Sequence, residues 1–497
     1  MSEATSRPRA LAAALLGADA PALESLFTNR RVLVRLERER TESQVAQEAL
    51  LLAGNEILRF CPNLTVALPD SRGDLARAAR TLATAIHGSG ATLEVVALDA
   101  PDPESFDAVV NVGHEIRAHR AWIAVDASGW SARVATSVSG AGWLPDPAAP
   151  PTVFSALAAA SLGAGQVFLS LVDRPLLTRP LELSLWSLET GVPGELDPGP
   201  PLPLDDLELD SLLVGCGGVT NGFAYAVARA PLGGRLEAVD KQSLRPGNLG
   251  AYVCATRSRL GMPKAEVIRD VLAPSVSVTP RNERLHFFKA RIGYGQTAVP
   301  ALVIAGLDGE RARHDVQRLW APVTVDMAAE ELTAQLIVKD LADDGICLIG
   351  ANATNESAPS ELEELAAELG LPPERVADFE SEITADDVAA APPDKRETLE
   401  AARRRGERVC GRATDLDLHE EGSSGAFTPA VPFVTGFAGI VGAAQTARQL
   451  MGAGEGSIHF QFSFLSYRVR KMRMRCKDGC ECVARRSKQP RQATLLI

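Results

Sequence analysis

Glycines set the first chemical possibility in this 497-residue sequence. In SLLVGCGGVTNGFAYAVARAPLGGRLEAVDKQ (residues 211–242), the apolar run Leu212, Leu213, Val214 leads into Gly215, Gly217 and Gly218. A small-residue helical stretch follows, then a second strand-like run that ends at Asp240. Such a unit is suited to hold a nucleotide. Glycines let the backbone approach phosphates, a helix N-terminus offers free N–H groups, and an acid about 20 residues on can bind ribose hydroxyls. A second possibility lies in the eight cysteines. Cys476, Cys480 and Cys482 form C-x3-C-x-C, and with Cys347 they would supply four thiolates to a tetrahedral Zn²⁺. Gly350 stands where a pair partner for Cys347 is expected, so the spacing is irregular. Cys61 and Cys254 read as packing residues, and Cys216 fills a loop position where a small residue suffices. The histidines (87, 114, 119, 286, 314, 419 and 459) show no ligand spacing.

These residues must be carried by a chain long enough for two or more domains. Its 63 acidic and 51 basic residues leave a net charge of −12, which argues against nucleic acid as the main partner. No basic start leads into an apolar run, and no stretch reaches 18 apolar residues without polar interruption. Neither export nor a membrane span is predicted, and a cytoplasmic location is expected.

Apolar strand-like runs alternate with helical patterns throughout, which predicts an α/β fold. The Pro-rich segment Pro193 to Pro203 predicts a linker over residues 193–205. FSALAAASLGAGQVFLSL (154–171) resembles FVTGFAGIVGAAQTARQL (433–450), with Gly163 matching Gly442 and Gln166 matching Gln445. A tandem pair of similar α/β domains is therefore expected. LTVALPDSRGD (64–74) is read as the counterpart of LLVGCGGVTNG (212–222). Lacking the glycines, it predicts a degenerate N-terminal copy over residues 1–192. The active domain is placed at 206–354 and 426–497. Residues 355–425, rich in Pro, Gly and charge, read as a mobile insertion without a core. The basic stretch from Tyr467 to Arg491 reads as a solvated tail.

Downstream of Asp240 come Gly247-Asn248-Leu249-Gly-Ala-Tyr252, Gly261-Met-Pro-Lys264, and a strand (301–307) ending in Asp308-Gly-Glu-Arg-Ala-Arg313. In order and spacing these resemble the ubiquitin-activating, ThiF/MoeB-like superfamily, whose adenylation domain shows GxGGxG, D-x-D, S-N-L-x-R-Q, G-x-x-K and D-N-x-x-T-R. The resemblance covers residues 210–320, and 425–455 more loosely. It implies tandem Rossmann-like domains with an inactive N-terminal one. It also implies ATP and Mg²⁺ bound by Gly215, Gly217, Gly218, Asp240, Asn248, Lys264 and Arg313, with Asp308 holding the metal. The chemistry is consistent with such residues. A carboxylate attacking the α-phosphate crowds negative charge, which Lys264 and backbone N–H groups offset, Asn248 adds a neutral donor, and Asp308 steadies Mg²⁺. Two departures stand out: Ala251 occupies the usual arginine position, and Gln242 replaces the second acid of D-x-D.

Family members that pass the activated protein on as a thioester use a cysteine before the final small-residue helix, and Cys410 sits in that place. Arg403, Arg404, Arg405, Arg408 and Arg412 flank it and would favour its thiolate if they fold nearby. The resemblance therefore implies a bacterial activating enzyme for a ubiquitin-like β-grasp protein, with a separate conjugating enzyme as partner. At family level it suggests an antiviral-defence setting. A dimer of such chains is compatible with it. The rival readings are a sulfur-carrier adenylyltransferase of the MoeB/ThiF kind and a non-catalytic adenylation-fold scaffold. A nicotinamide oxidoreductase is disfavoured, because no proton donor stands beside the loop.

Overall fold

The computed structural model describes residues 6–17, 24–203, 207–273, 275–352, 361–378, 380–409, 430–477 and 479–488. Its frame is a pair of eight-stranded sheets. The first comprises β1 (Val32–Leu36), β2 (Asn63–Leu68), β3 (Thr92–Ala97), β4 (Ala108–Val112), β5 (Trp122–Ser128), β6 (Ser131–Thr136), β7 (Leu181–Ser184) and β8 (Thr190–Gly191). The second comprises β9 (Leu207–Val214), β10 (Leu232–Val239), β11 (Ser277–Arg281), β12 (Leu302–Ala305), β13 (Val323–Glu330), β14 (Thr333–Asp340), β15 (Ile458–Ser463) and β16 (Arg468–Met472).

The spatial orders are β8-β7-β6-β5-β4-β1-β2-β3 and β16-β15-β14-β13-β12-β9-β10-β11. Each strand of the first sheet thus has its counterpart eight positions later in the second. In both, the five strands from the β3 or β11 edge inward run parallel and the remaining three join antiparallel. The central parallel strands VLVRL and AVVNV are buried along their whole length, because helices cover both faces. The chain is thus α/β with two Rossmann-like sheets in tandem.

Beside these sheets lie α1 (Ser6–Leu16), α2 (Gln44–Leu58), α3 (Val153–Leu171), α4 (Gly218–Val227), α5 (Lys264–Leu272), α6 (Leu285–Gly293), α7 (Glu310–Gln317), α8 (Glu361–Leu369), α9 (Pro393–Arg404) and α10 (Pro432–Leu450). The two small-residue helices matched by sequence are α3 and α10. They pack against each other, α3 also against α2 and α10 also against α4. Phe60 and Phe168 of the first half meet Phe433 of the second, with ring centroids 6.1 and 5.4 Å away. Among the described residues, α3 is long and apolar enough to cross a membrane by length and composition, yet it is buried along nearly its whole length.

Three expectations change. The strand at 63–68 is β2, so its counterpart is β10, not β9. The partner of β9 is β1, and the counterpart of the glycine loop is the segment that begins at Glu37. The apolar run followed by Asp-Ser-Arg-Gly imitated a strand and phosphate turn. Residues 361–409 do possess a core: Leu365, Leu369, Val376, Leu399 and Val409 are buried together with Phe287 of α6. The basic stretch is partly built into the sheet as β16, and Lys471 within it and Arg473 just after it both pair with Glu455. Pro198 and Pro200, in the Pro-rich segment, accept hydrogen bonds from the backbone and indole N–H groups of Trp130 (2.8 and 2.7 Å).

Candidate functional site

In an open parallel sheet, neighbouring strands whose crossovers leave on opposite sides open a crevice at their C-terminal ends. Here that point lies between β9 and β12, since β10 flanks β9 on the other side. Three chain ends meet there: Gly215 follows β9, Asp240 follows β10, and Gly306 to Gly309 follow β12. Gly215 has φ +79°, and a Cβ there would lie 2.6 Å from Leu307 and 2.8 Å from the Gly306 carbonyl. A side chain would therefore close the loop against the neighbouring strand end.

A cavity of about 610 Å³ occupies this point, lined by Gly215, Gly217, Asp240, Tyr252, Lys264 and Asp308 among others. Asp240 accepts hydrogen bonds from the Cys216 N–H (2.6 Å) and the Gln242 N–H (2.7 Å), which fixes both loops. Lys264 opens α5 and is almost fully buried. Its ammonium donates to Gln242 Oε1 (2.7 Å) and approaches the Tyr252 hydroxyl at 3.3 Å. Burial by itself would lower this ammonium, but Tyr252, Asp240 and Asp308 outweigh it and hold the group above its ordinary range. Gln242, which replaces an acid, is thus the lysine's direct acceptor.

A second cavity of about 510 Å³ shares Gly217, Tyr252 and Asp308 with the first and runs past Gly218 and Arg313 to Thr435. Arg7 of α1 lines it, with its guanidinium 5.8 Å from the centre of the Tyr252 ring. Burial lowers the Arg7 pKa, opposed by Tyr252 and Asp308. Sequence reading missed Arg7 and Tyr252. The signal in the sequence that bears on Arg7 is Ala251, at the position where the resemblance leads to an expected arginine. Ala251 itself is fully buried.

The other expected residues are placed as follows. Asn248 is buried behind the cleft, where its side-chain oxygen accepts from the Arg245 N–H at 2.8 Å. Arg313 lines the second cavity, but it donates to the Leu307 carbonyl (3.3 Å) and to Asn352 Oδ1 (3.0 Å) and faces Asp326 at 3.8 Å. Burial pushes the Asp326 carboxyl up to about 7, with Arg313 opposing. Cys410 and Arg412 lie outside the described residues. Their neighbour Val409 is buried, and its N–H donates to the Ser381 carbonyl at 3.1 Å. Of the arginines expected around Cys410, Arg403 and Arg404 pair with Glu400, and Arg405 pairs with Glu407. Their charge is largely answered by their own segment.

The Sγ atoms of Cys347, Cys476, Cys480 and Cys482 lie within 4.8 Å of one another. The Gly350 N–H donates to Cys347 Sγ (3.4 Å) and the Cys347 N–H to Cys476 Sγ (3.2 Å). Gly350, read as a missing ligand partner, thus supports the cluster through its backbone. Four convergent thiols backed by N–H donors fit a tetrahedral soft-metal site.

Residues 31–185 match the family model described as the BilD N-terminal domain. An uncharacterized protein, y4jF of Sinorhizobium fredii (strain NBRC 101917 / NGR234), is 32% identical over 149 residues, which make up 28% of this chain and 27% of that protein. The chain thus matches about a quarter of the length of that curated relative. Solved structures with some likeness include crystal structures of E. coli MccB. With MccA-N7isoASN, the TM-score is 0.36 at 12% identity over 56% of this chain and 67% of that one. For MccB alone, it is 0.35 at 13% identity over 55% and 64%.

Proposed function

We propose that the chain activates the C-terminal carboxylate of a small ubiquitin-like β-grasp protein with ATP and passes it on as a thioester through Cys410. The observation that carries this reading is the pair of joined cavities at the β9–β12 crevice. One is lined by glycine backbone, Asp240 and a buried Lys264. The other leads away from it past Gly218 and Arg7. A nucleotide fits the first, and an extended peptide tail reaching the same phosphates fits the second.

On this reading the glycine backbone and the N-terminus of α4 receive phosphate oxygens, and Asp240 takes the ribose hydroxyls. Lys264 and Arg7 offset the charge that gathers as a tail carboxylate oxygen attacks the α-phosphorus and the bond to pyrophosphate breaks. Asp308, which lines both cavities, would hold Mg²⁺, which neutralises phosphate charge when bound. The acyl carbon then passes to the Cys410 sulfur, AMP leaves, and a separate conjugating enzyme accepts the thioester. The four-cysteine cluster would hold a structural Zn²⁺ that ties 345–348 to 474–482.

The test is incubation with ATP and a β-grasp protein encoded beside this gene, followed by a non-reducing gel. A thiol-sensitive adduct that disappears in Cys410→Ala supports the reading. Pyrophosphate release without an adduct points to a sulfur-carrier adenylyltransferase, and nucleotide binding without turnover points to a scaffold. Metal analysis should give one zinc per chain, lost in Cys347→Ser.

A further inference from the structure

The segment from Asn248 to Ala255 carries Tyr252 into both cavities, and the carbonyls of Asn248 and Tyr252 accept from N–H groups within the segment itself, leaving those of 249, 251, 253 and 255 to find donors elsewhere. These four are met by side chains distant in sequence. Arg59, at the end of α2 in the first half, is fully buried. Its guanidinium donates to the carbonyls of Leu249, Val253 (3.0 Å) and Ala255 (3.1 Å), and its Nε to Asn55 Oδ1 (2.9 Å). Asn55 also donates to the Val253 carbonyl at 3.0 Å. Thr435 of α10 donates to the intervening Ala251 carbonyl at 2.6 Å. The carbonyls of residues 249, 251, 253 and 255 are thus each held from behind. Glu56, equally buried, lies next to Arg59 and accepts from the Ser161 hydroxyl at 2.8 Å.

A guanidinium suits this task. It presents five donors in a rigid fork, and buried carbonyls left without donors cost heavily. The carbonyls of 249, 253 and 255 thus meet a cation supplied across the interface between the halves. We propose that Arg59, with Asn55, is a positioning residue of the N-terminal half that sets Tyr252, and through it Lys264 and Arg7, for nucleotide binding.

This rests on the nucleotide reading above, so the test has an arm that does not need it. ATP·Mg²⁺ binding to the full chain is measured by calorimetry, and amide exchange is followed over 246–256, for Arg59→Lys and Asn55→Ala. Removing a buried cation outright endangers folding. Arg59→Lys therefore keeps the charge and loses the fork, while Asn55→Ala keeps Arg59 and loses both the donor to Val253 and the acceptor of the Arg59 Nε. On the usual strength of such bonds, ATP Kd should rise about tenfold in Arg59→Lys and about threefold in Asn55→Ala. Amides of 246–256 should exchange faster while those of β9 and β12 hold. General destabilisation would instead lower the folded fraction and leave Kd of the folded protein unchanged. Unchanged Kd together with unchanged exchange over 246–256 overturns the proposal. If the wild type binds no ATP, the nucleotide reading fails, and the exchange arm alone decides whether Arg59 holds the segment.

Discussion

At the end of β9 the C-terminal half has Gly215, and at the corresponding end of β1 the N-terminal half has Glu37. The register makes the two equivalent, since Leu36 pairs with Val112 as Val214 pairs with Ala305. By the same register Glu115 stands where Asp308 stands. Glu37 is buried and accepts hydrogen bonds from Asn111 Nδ2 and from the backbone N–H groups of His114 (3.0 Å) and Glu115 (2.7 Å). A carboxylate of the protein thus takes donors that a phosphate would need. The helices that follow differ in the same sense. Ser43 caps α2 with its own hydroxyl, whereas Gly217 before α4 has no side chain to do so. One scaffold yields either an open, glycine-lined crevice or a self-satisfied core, and the choice rests on a few residues at strand ends.

The largest expected contrast is in ATP use. Lys264→Ala and Asp308→Ala should lower ATP–pyrophosphate exchange by about 10² or more, the usual loss on removing one preorganised charge. Glu37→Ala should leave exchange intact and lower stability by about 1–3 kcal/mol in urea melts, as buried N–H groups lose their acceptor. If Glu37→Ala proved as damaging to exchange as Lys264→Ala, the N-terminal half would not be silent.

A smaller contrast concerns the matched helices. A Cβ on Gly163 of α3 would lie 2.6 Å from Val125 Cγ1, and one on Gly442 of α10 would lie 2.1 Å from Met327 Sδ. Valine is stiff at χ1 and methionine bends, so Gly163→Ala should cost more than Gly442→Ala, both within about 1–3 kcal/mol. Equal urea midpoints, or the reverse order, would show that the stiffness of the facing side chain does not set the cost.

The smallest effect is expected in the helical segment 361–409, which has no counterpart in the first half. Hydrogen bonds from Arg375 hold the Asp387 carboxyl down to about 2, so the folded form prefers the ion. That stability is complete above the ordinary carboxylate range and fades as pH falls from about 4 to about 2. Amide exchange in 380–409 should accelerate over that window, and Asp387→Asn should show no such step.

Much of the cleft was legible in the sequence because its groups follow one another along the chain: glycine loop, Asp240, Lys264, Asp308. The α3–α10 match was legible because both helices need small residues where a strand side chain presses in. The counterpart of the glycine loop was not, since Glu37 fills the same place with unrelated chemistry, and the next strand, β2, carries the more loop-like Asp-Ser-Arg-Gly. Arg7 and Arg59 were out of reach for another reason. They meet the site only through folding, from about 190 residues or more away, and no local pattern marks them. The core of 361–409 was hidden because its few leucines and valines are spaced among many surface charges.

The joint between α3 and α10, with Arg59 reaching across it, also bears on mass action. In a site shared between two separate subunits, dilution dissolves the site. Here both contributors are linked in one polypeptide, so the local concentration of each at the other is set by the chain. Half-occupied or mismatched pairs cannot arise within it, and any activity the cleft proves to have should keep the same specific value at nanomolar protein as at micromolar.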